Sequence, residues 1–192
     1  MDCVKTGELI RGLRKEKQLT QQQLASALNI SNKTVSKWEC GLGCPDVALW
    51  ADLSAVLGVD IKQMLQGEMI VNRPDSGNLR RTRFYVCPVC QNALFSTGSA
   101  SVFCCGRHLE PLKTQKEAPT ITAKPMDGET FVSIAHEMSR AHYLLFAAYV
   151  HNDKIVFTRF YPEQNAELYL PYSRGGSLYL YCTAHGLSVL RL

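Results

Sequence analysis

No apolar run in this chain approaches the roughly 18–20 residues that a membrane-crossing helix needs. The longest, Leu144 to Val150, has the length of a strand. The opening Met1-Asp2-Cys3-Val4-Lys5 lacks the apolar core of a signal peptide. The expectation is therefore a cytoplasmic protein with no membrane partner. In that compartment thiols are normally reduced, so clustered cysteines read as metal ligands before disulfides. Charge of one sign is scarce too: 21 Lys and Arg against 17 Asp and Glu leave +4. Such a weak excess permits nucleic-acid binding without demanding it. Histidine is sparse, with five in all and none between His108 and His136. Apolar residues are plentiful at 46%, enough for ordinary cores, and 192 residues exceed one typical domain. There are eight cysteines, four of them in the nineteen residues from Cys87 to Cys105.

The first third has helical periodicity. Leu9, Ile10 and Leu13 mark one face of a first helix. Thr20 with Gln23 three residues on predicts a capping box, and Leu24, Ala25 and Leu28 line the helix that follows. Asn29-Ile30 predicts a tight turn and Ser31 a second N-cap. Val35 and Trp38 then face inward from a third helix ending near Gly41. Leu49, Leu53, Val56 and Leu57 predict a fourth helix, and Ile61, Met64 and Leu65 a short fifth.

Two short helices around a tight turn form a helix-turn-helix, whose second helix reads the major groove. The runs Thr20-Gln21-Gln22-Gln23-Leu24-Ala25 and Ile30-Ser31-Asn32-Lys33-Thr34-Val35-Ser36-Lys37-Trp38-Glu39 resemble the Xre/Cro/C1 family of regulators. The resemblance implies double-stranded DNA as partner and a homodimer. It implies that Gln21 caps its helix against a phosphate and that Asn32, Lys33 and Lys37 reach base edges, with Ser36 close by. The chemistry agrees, since Asn pairs with adenine and Lys donates to guanine. Cys3, Cys40 and Cys44 read as structural or incidental.

Residues 68–83 read as an exposed linker, punctuated by Asn72-Arg73-Pro74-Asp75-Ser76-Gly77-Asn78 and ending in Arg80-Arg81-Thr82-Arg83. Beyond it, Cys87-Pro88-Val89-Cys90 is followed by Cys104-Cys105-Gly106. A thiolate pair two apart grips one ion from a single turn, and an adjacent pair completes a tetrahedron that selects iron or zinc. Phe84-Tyr85-Val86, Leu94-Phe95 and Ser101-Val102-Phe103 read as short strands around the cysteines. With Pro111-Leu112 downstream, the pattern resembles desulforedoxin and the N-terminal module of desulfoferrodoxin, whose metal is iron. About thirty residues bury little core, so bound metal would supply folding energy.

The remainder alternates in strand fashion. Thr130 to Ile134 is one strand, His142 to Val150 and Lys154 to Phe160 form a hairpin around Asn152-Asp153, and Glu167 to Pro171, Ser177 to Cys182 and Leu187 to Leu192 supply more. This argues for a sandwich. His136, His142, Cys182 and His185 form a second set of donors suited to iron, copper or zinc. His-x5-His, Cys-x2-His-Gly and the forty residues between them resemble the superoxide reductase domain. The resemblance implies imidazoles around a ferrous ion, the cysteine sulfur on the axis, superoxide at the remaining position and a lysine that attracts it. The family takes its first imidazole from a Glu-Lys-His-x-Pro loop. Here the matching stretch is Gln115-Lys116-Glu117-Ala118-Pro119. Lys116 fits the attracting lysine, while Glu117 stands in the histidine's place as a fifth candidate ligand.

The expected architecture is thus multidomain. An all-α lambda-repressor-like helix-turn-helix domain spans 1–67 and a linker 68–83. A desulforedoxin-like four-cysteine β module spans 84–113 and an immunoglobulin-like β-sandwich of superoxide reductase type 114–192. The expected function is a DNA-binding regulator with an iron-binding, redox- or superoxide-responsive part. The alternative is a superoxide reductase with an appended DNA-binding domain, drawing on a reduced electron-donor protein.

Overall fold

Side-chain caps start four of the five α-helices, the first three among them. The computed structural model describes residues 2–171 and 175–192 and divides into two compact units, residues 1–71 and 72–192. In the first, α1 (Cys3–Glu16), α2 (Gln21–Ala27), α3 (Asn32–Glu39), α4 (Trp50–Leu57) and α5 (Ile61–Gln66) follow one another. The Asp2 carboxylate accepts from the Val4 and Lys5 amides, Thr20 and Gln23 complete the capping box, and Ser31 accepts from Thr34 N–H. Asn29, with φ 53°, turns the chain between α2 and α3. Ile10, Leu24, Val35, Trp38, Leu53, Leu57 and Met64 meet in one core. Burying each such side chain contributes about 1.5–3 kcal/mol. Gly7 lets α1 cross α3 closely, because a side-chain carbon there would collide with the Trp38 carbonyl oxygen.

This unit buries one charged group against another. Arg14 of α1 donates from Nε to Glu39 Oε1 at 2.6 Å and from Nη2 to Oε2 at 3.0 Å. Gln21 Nε2 of α2 donates to the same Oε2 at 2.8 Å. Burial pushes the Glu39 carboxyl up, but the hydrogen bonds from Arg14 and Gln21 and the Arg14 charge outweigh it, and its pKa lies below the usual value of 4.5. Three helices are thereby pinned at one carboxylate. Cys3 and Cys44 form a disulfide, with Cα atoms 5.0 Å apart, while Cys40 is free and exposed.

The second unit is β-rich. Within the segment read as a linker, Asn72 Nδ2 donates to Ser99 O at 2.7 Å, a 3-10 turn covers Leu79–Arg81, and Leu79 packs against buried Phe84 and its neighbours. β1 (Arg83–Val86) pairs with β2 (Ala93–Ser96), and β3 (Val102–Cys104) with β4 (Arg107–Leu109). Then come β5 (Thr114–Gln115), β6 (Ile121–Met126), β7 (Glu129–Ile134), β8 (Leu144–His151), β9 (Lys154–Arg159), β10 (Glu167–Pro171), β11 (Ser177–Cys182) and β12 (Gly186–Arg191). One sheet has the order β10-β7-β6 and is antiparallel. The other has the order β5-β12-β11-β8-β9, with β5 parallel to β12. Val132, Ile134, Leu168 and Leu170 of the smaller sheet share a core with Leu144, Ala147, Leu178 and Leu180 of the larger.

β8 is buried on both faces because Phe84, beside Phe146 and Tyr179, covers the side turned from that core. Its unbroken apolar sequence has this cause. Asn152, φ 48°, forms the expected β8–β9 turn. Three strands were not anticipated: β4, β5 and β6. β6 carries Pro125 and is exposed along most of its length, so it lacks the alternation that marks a half-buried strand. Among the described residues no helix is long and apolar enough to cross a membrane.

Candidate metal centres and DNA-facing helix

On α3 the apolar and polar faces separate cleanly. Val35 and Trp38 are buried, Asn32, Lys33 and Lys37 are exposed, and Ser36 is half-buried. Gln21, expected against a phosphate, directs its amide to Glu39. Its visible role is to fix α2 against α3, and with it the angle at which the exposed face is presented.

The first donor cluster is assembled by two turns. Cys87 ends the segment after β1, and the chain reverses at Gln91, φ 56°, with Cys87 N–H donating to Asn92 O at 2.9 Å. Opposite, Cys104 closes β3, and Cys105-Gly106 is the two-residue turn into β4, with φ 49° and 72°. Positive φ at both positions is what such a hairpin turn requires, which explains the glycine. The four sulfurs lie within 4.8 Å of one another. Amides of Cys90 and Val89 donate to the Cys87 sulfur and hold its pKa down to about 6. Cys105 shares its proton with the sulfurs of Cys90, Cys87 and Cys104 and is pushed up to about 12. Four sulfurs this close do not ionise together without a cation among them. Zinc or iron in a tetrahedral site fits the set. Gln91 anchors this turn to the larger sheet, since Tyr143 Oη donates to Gln91 Oε1 at 2.7 Å and Arg159 Nη1 to Gln91 O at 3.1 Å.

The second cluster gathers the ends of four strands. His136 follows β7, His142 precedes β8, and Cys182 and His185 flank the β11–β12 turn. Thr183 N–H donates to Tyr143 O at 3.0 Å and Tyr143 N–H to Thr183 Oγ1 at 3.2 Å, tying the His142 segment to that turn. The donor atoms of His136, His142, Cys182 and His185 lie within 4.8 Å of one another.

The hydrogen bonds also orient the rings. His136 Nδ1 is bonded to the Glu137 carbonyl oxygen, which only accepts, so Nδ1 carries the proton. Its Nε2 is buried and has no hydrogen-bond partner. Burial, foremost, lowers the His136 pKa below 6.5. His142 Nδ1 lies 2.8 Å from the Glu137 carboxylate, leaving its Nε2 lone pair facing His185 Nδ1 at 3.3 Å. Hydrogen bonds from Ser139 and then His142 hold Glu137 below the ordinary carboxyl range. The Cys182 sulfur accepts from the Ala184 and His185 amides at 3.3 and 3.4 Å and sits 3.6 Å from His185 Nδ1. Ring nitrogens and a sulfur thus converge, and an orphaned imidazole nitrogen joins them. A borderline metal ion fits this donor set.

A cavity of about 770 Å³ opens over the cluster, lined by Gln115, Lys116 and Glu117 besides the histidines and Cys182. Pairing of β5 with Leu187 and Ser188 of β12 brings that loop to the cavity's edge. Glu117 is exposed and lines the cavity, but it stands outside the group of converging donors. Two residues of this site had no sequence signal. Glu137 orients His142, and Thr183 ties the two ligand-bearing segments. Only adjacency to a histidine and to a cysteine could have suggested them.

A helix-turn-helix of the transcription-regulator type, joined to a β-rich unit with two clusters able to hold metal, is the class these features define. Residues 10–63 match the family described as Helix-turn-helix. Over 71 residues the chain is 37% identical to the HTH-type transcriptional activator BcrR of Enterococcus faecalis, covering 37% of this chain and 35% of that protein. Multiprotein-bridging factor 1 of Candida albicans is 35% identical over 65 residues, 34% of this chain and 43% of that one. The chain therefore spans less than half the length of either curated relative. Among solved structures, the superoxide reductase from Treponema pallidum is similar with a TM-score of 0.49 and 17% identity, over 57% of this chain and 96% of that one. The restriction-modification controller protein C.AhdI from Aeromonas hydrophila gives a TM-score of 0.31 and 27% identity, over 33% and 96%.

Proposed function

We propose that this chain is a dimeric DNA-binding transcription regulator whose β-rich unit binds iron and makes operator binding respond to redox state or superoxide. The observation that carries this reading is the convergence of His136, His142, Cys182 and His185 beneath a cavity, in a chain that also carries a helix-turn-helix domain. Iron held there would supply a one-electron change between ferrous and ferric states. The chain's own residues do the rest. Glu137 fixes the ring of His142, two amides support the Cys182 sulfur, and Lys116 at the cavity favours a small anion such as superoxide. The four-cysteine cluster, with iron or zinc, braces its segment. Asn32, Lys33 and Lys37 contact the operator, and a dimer reads two half-sites. Operator affinity of the oxidised, reduced and metal-free chain tests this, with different affinities expected among the three states. One common affinity would remove the sensor reading.

The cavity favours a second reading, turnover of superoxide with electrons from a reduced donor protein, because a purely structural metal needs no access. Stopped-flow oxidation of the ferrous chain by superoxide decides it. A rate no faster than buffer alone excludes the enzyme.

A further inference from the structure

We propose that Cys3 and Cys44 are a reversible oxidation site in the DNA-reading unit, a thiol pair that hydroperoxides convert to a disulfide and dithiols reopen. Neither donor cluster takes part, since every residue involved lies within residues 1–71. Cys3 is the first residue of α1, and Cys44 lies in the connector that leaves α3. Their Cα atoms are 5.0 Å apart and their sulfurs are bonded. Both residues are half-buried, within reach of a small oxidant.

The same corner holds two further close approaches. Gly41 packs on Val4, and Gly7 lies against the Trp38 carbonyl. α1 and the exit of α3 are therefore already in place when the thiols are reduced, and the bond forms without rearrangement. Arg14, Glu39 and Gln21 fix the other side of α3 independently. The reduced unit accordingly stays folded, and the bond changes its stability rather than its architecture.

The chemistry balances with a hydroperoxide as the oxidant. One thiolate attacks the peroxide oxygen, the O–O bond breaks, and a sulfenic acid and one water (or alcohol) result. The second thiolate attacks the sulfenic sulfur, the S–S bond forms, and hydroxide leaves as a second water once protonated. Two electrons pass from the two sulfurs to the peroxide. Cys40, exposed at the end of α3, takes no part. Cross-linking residues 41 apart restricts the unfolded chain and raises the melting midpoint of this unit.

The test uses the full chain, reduced with dithiothreitol and then treated with hydrogen peroxide. Alkylation with peptide mass analysis should find Cys3 and Cys44 protected together, in a linked peptide lighter by two hydrogens. Followed by helical circular dichroism, the midpoint should rise by about 10 °C or more and fall back on re-reduction. Cys40→Ser should behave like the parent, and Cys3→Ser should show no shift. Alkylation of both thiols after peroxide, a bond that involves Cys40, or a bond without a midpoint shift would each overturn the proposal. Metal content measured alongside separates this site from the metal-dependent reading, because Cys3→Ser should leave it unchanged.

Discussion

The two units cluster their polar side chains in opposite ways. In the helical unit Arg14, Glu39 and Gln21 satisfy one another, and the charge of one partner cancels that of the other. In the β-rich unit the polar groups that converge are of one kind. Four sulfurs meet in one cluster, and three imidazoles and a sulfur in the other, while His136 Nε2 is left without a partner. A cluster of thiols and imidazoles is completed by a cation, whereas one that gathers an ion pair is complete in itself. The helical unit should therefore fail through acid or loss of a partner, and the β-rich unit through loss of metal.

The largest effect that would break this contrast is expected at the four-cysteine cluster. Cys87→Ser, or a strong chelator, should unfold the segment around β1 to β4, with a loss on the order of several kcal/mol, since metal affinity there is folding energy. Chelation should leave the melting of the helical unit unchanged. Urea unfolding followed separately by helical and strand signals reads both. Arg14→Ala should then lower the stability of the helical unit by about 3–5 kcal/mol, because Glu39 is left buried without its counter-charge. The pH dependence follows from the same carboxylate. Its folded pKa lies below the unfolded value of 4.5, so its contribution is complete above that value and is lost as pH falls through the folded one. Chelator-insensitive acid unfolding of the helical unit below about pH 4.5 checks this.

Smaller effects sharpen the comparison within the β-rich unit. Cys182→Ser should reduce bound metal by one ion per chain and spare the four-cysteine cluster, as elemental analysis would show. Glu137→Gln keeps the ring contact but removes the charge that orients His142. Metal affinity of this cluster alone should weaken about 10–100-fold in competitive titration. In the helical unit, Lys33→Ala with Lys37→Ala should weaken operator binding while melting stays the same. An unchanged anisotropy titration would move the DNA-facing surface elsewhere.

What was legible in the sequence was whatever local chemistry writes into neighbours. Thr20, Gln23 and Ser31 act within one turn of where they stand, so α2 and α3 start where their caps predict. The alternation in Glu167–Pro171 and Ser177–Cys182 reflects one face on a core, and both are strands. The donors of the second cluster were legible because they come as two short motifs. Contacts that bring distant residues together left no such trace. Arg14 with Glu39, Cys3 with Cys44, and Tyr143 with Gln91 are separated by 25, 41 and 52 residues. β6 stayed hidden for another reason: an exposed edge strand is free to carry almost any sequence, Pro125 included.

The hydrogen bond from Tyr143 to Gln91 has a thermodynamic corollary. Tyr143 is the neighbour of His142, and Gln91 the neighbour of Cys90, so one hydrogen bond between side chains links the segments that carry the two clusters. Ligand loss at either end should then be felt at the other. In a double-mutant cycle Cys90→Ser and His142→Ala should depart from additivity by about 0.5–3 kcal/mol, and Tyr143→Phe should return the pair toward independence.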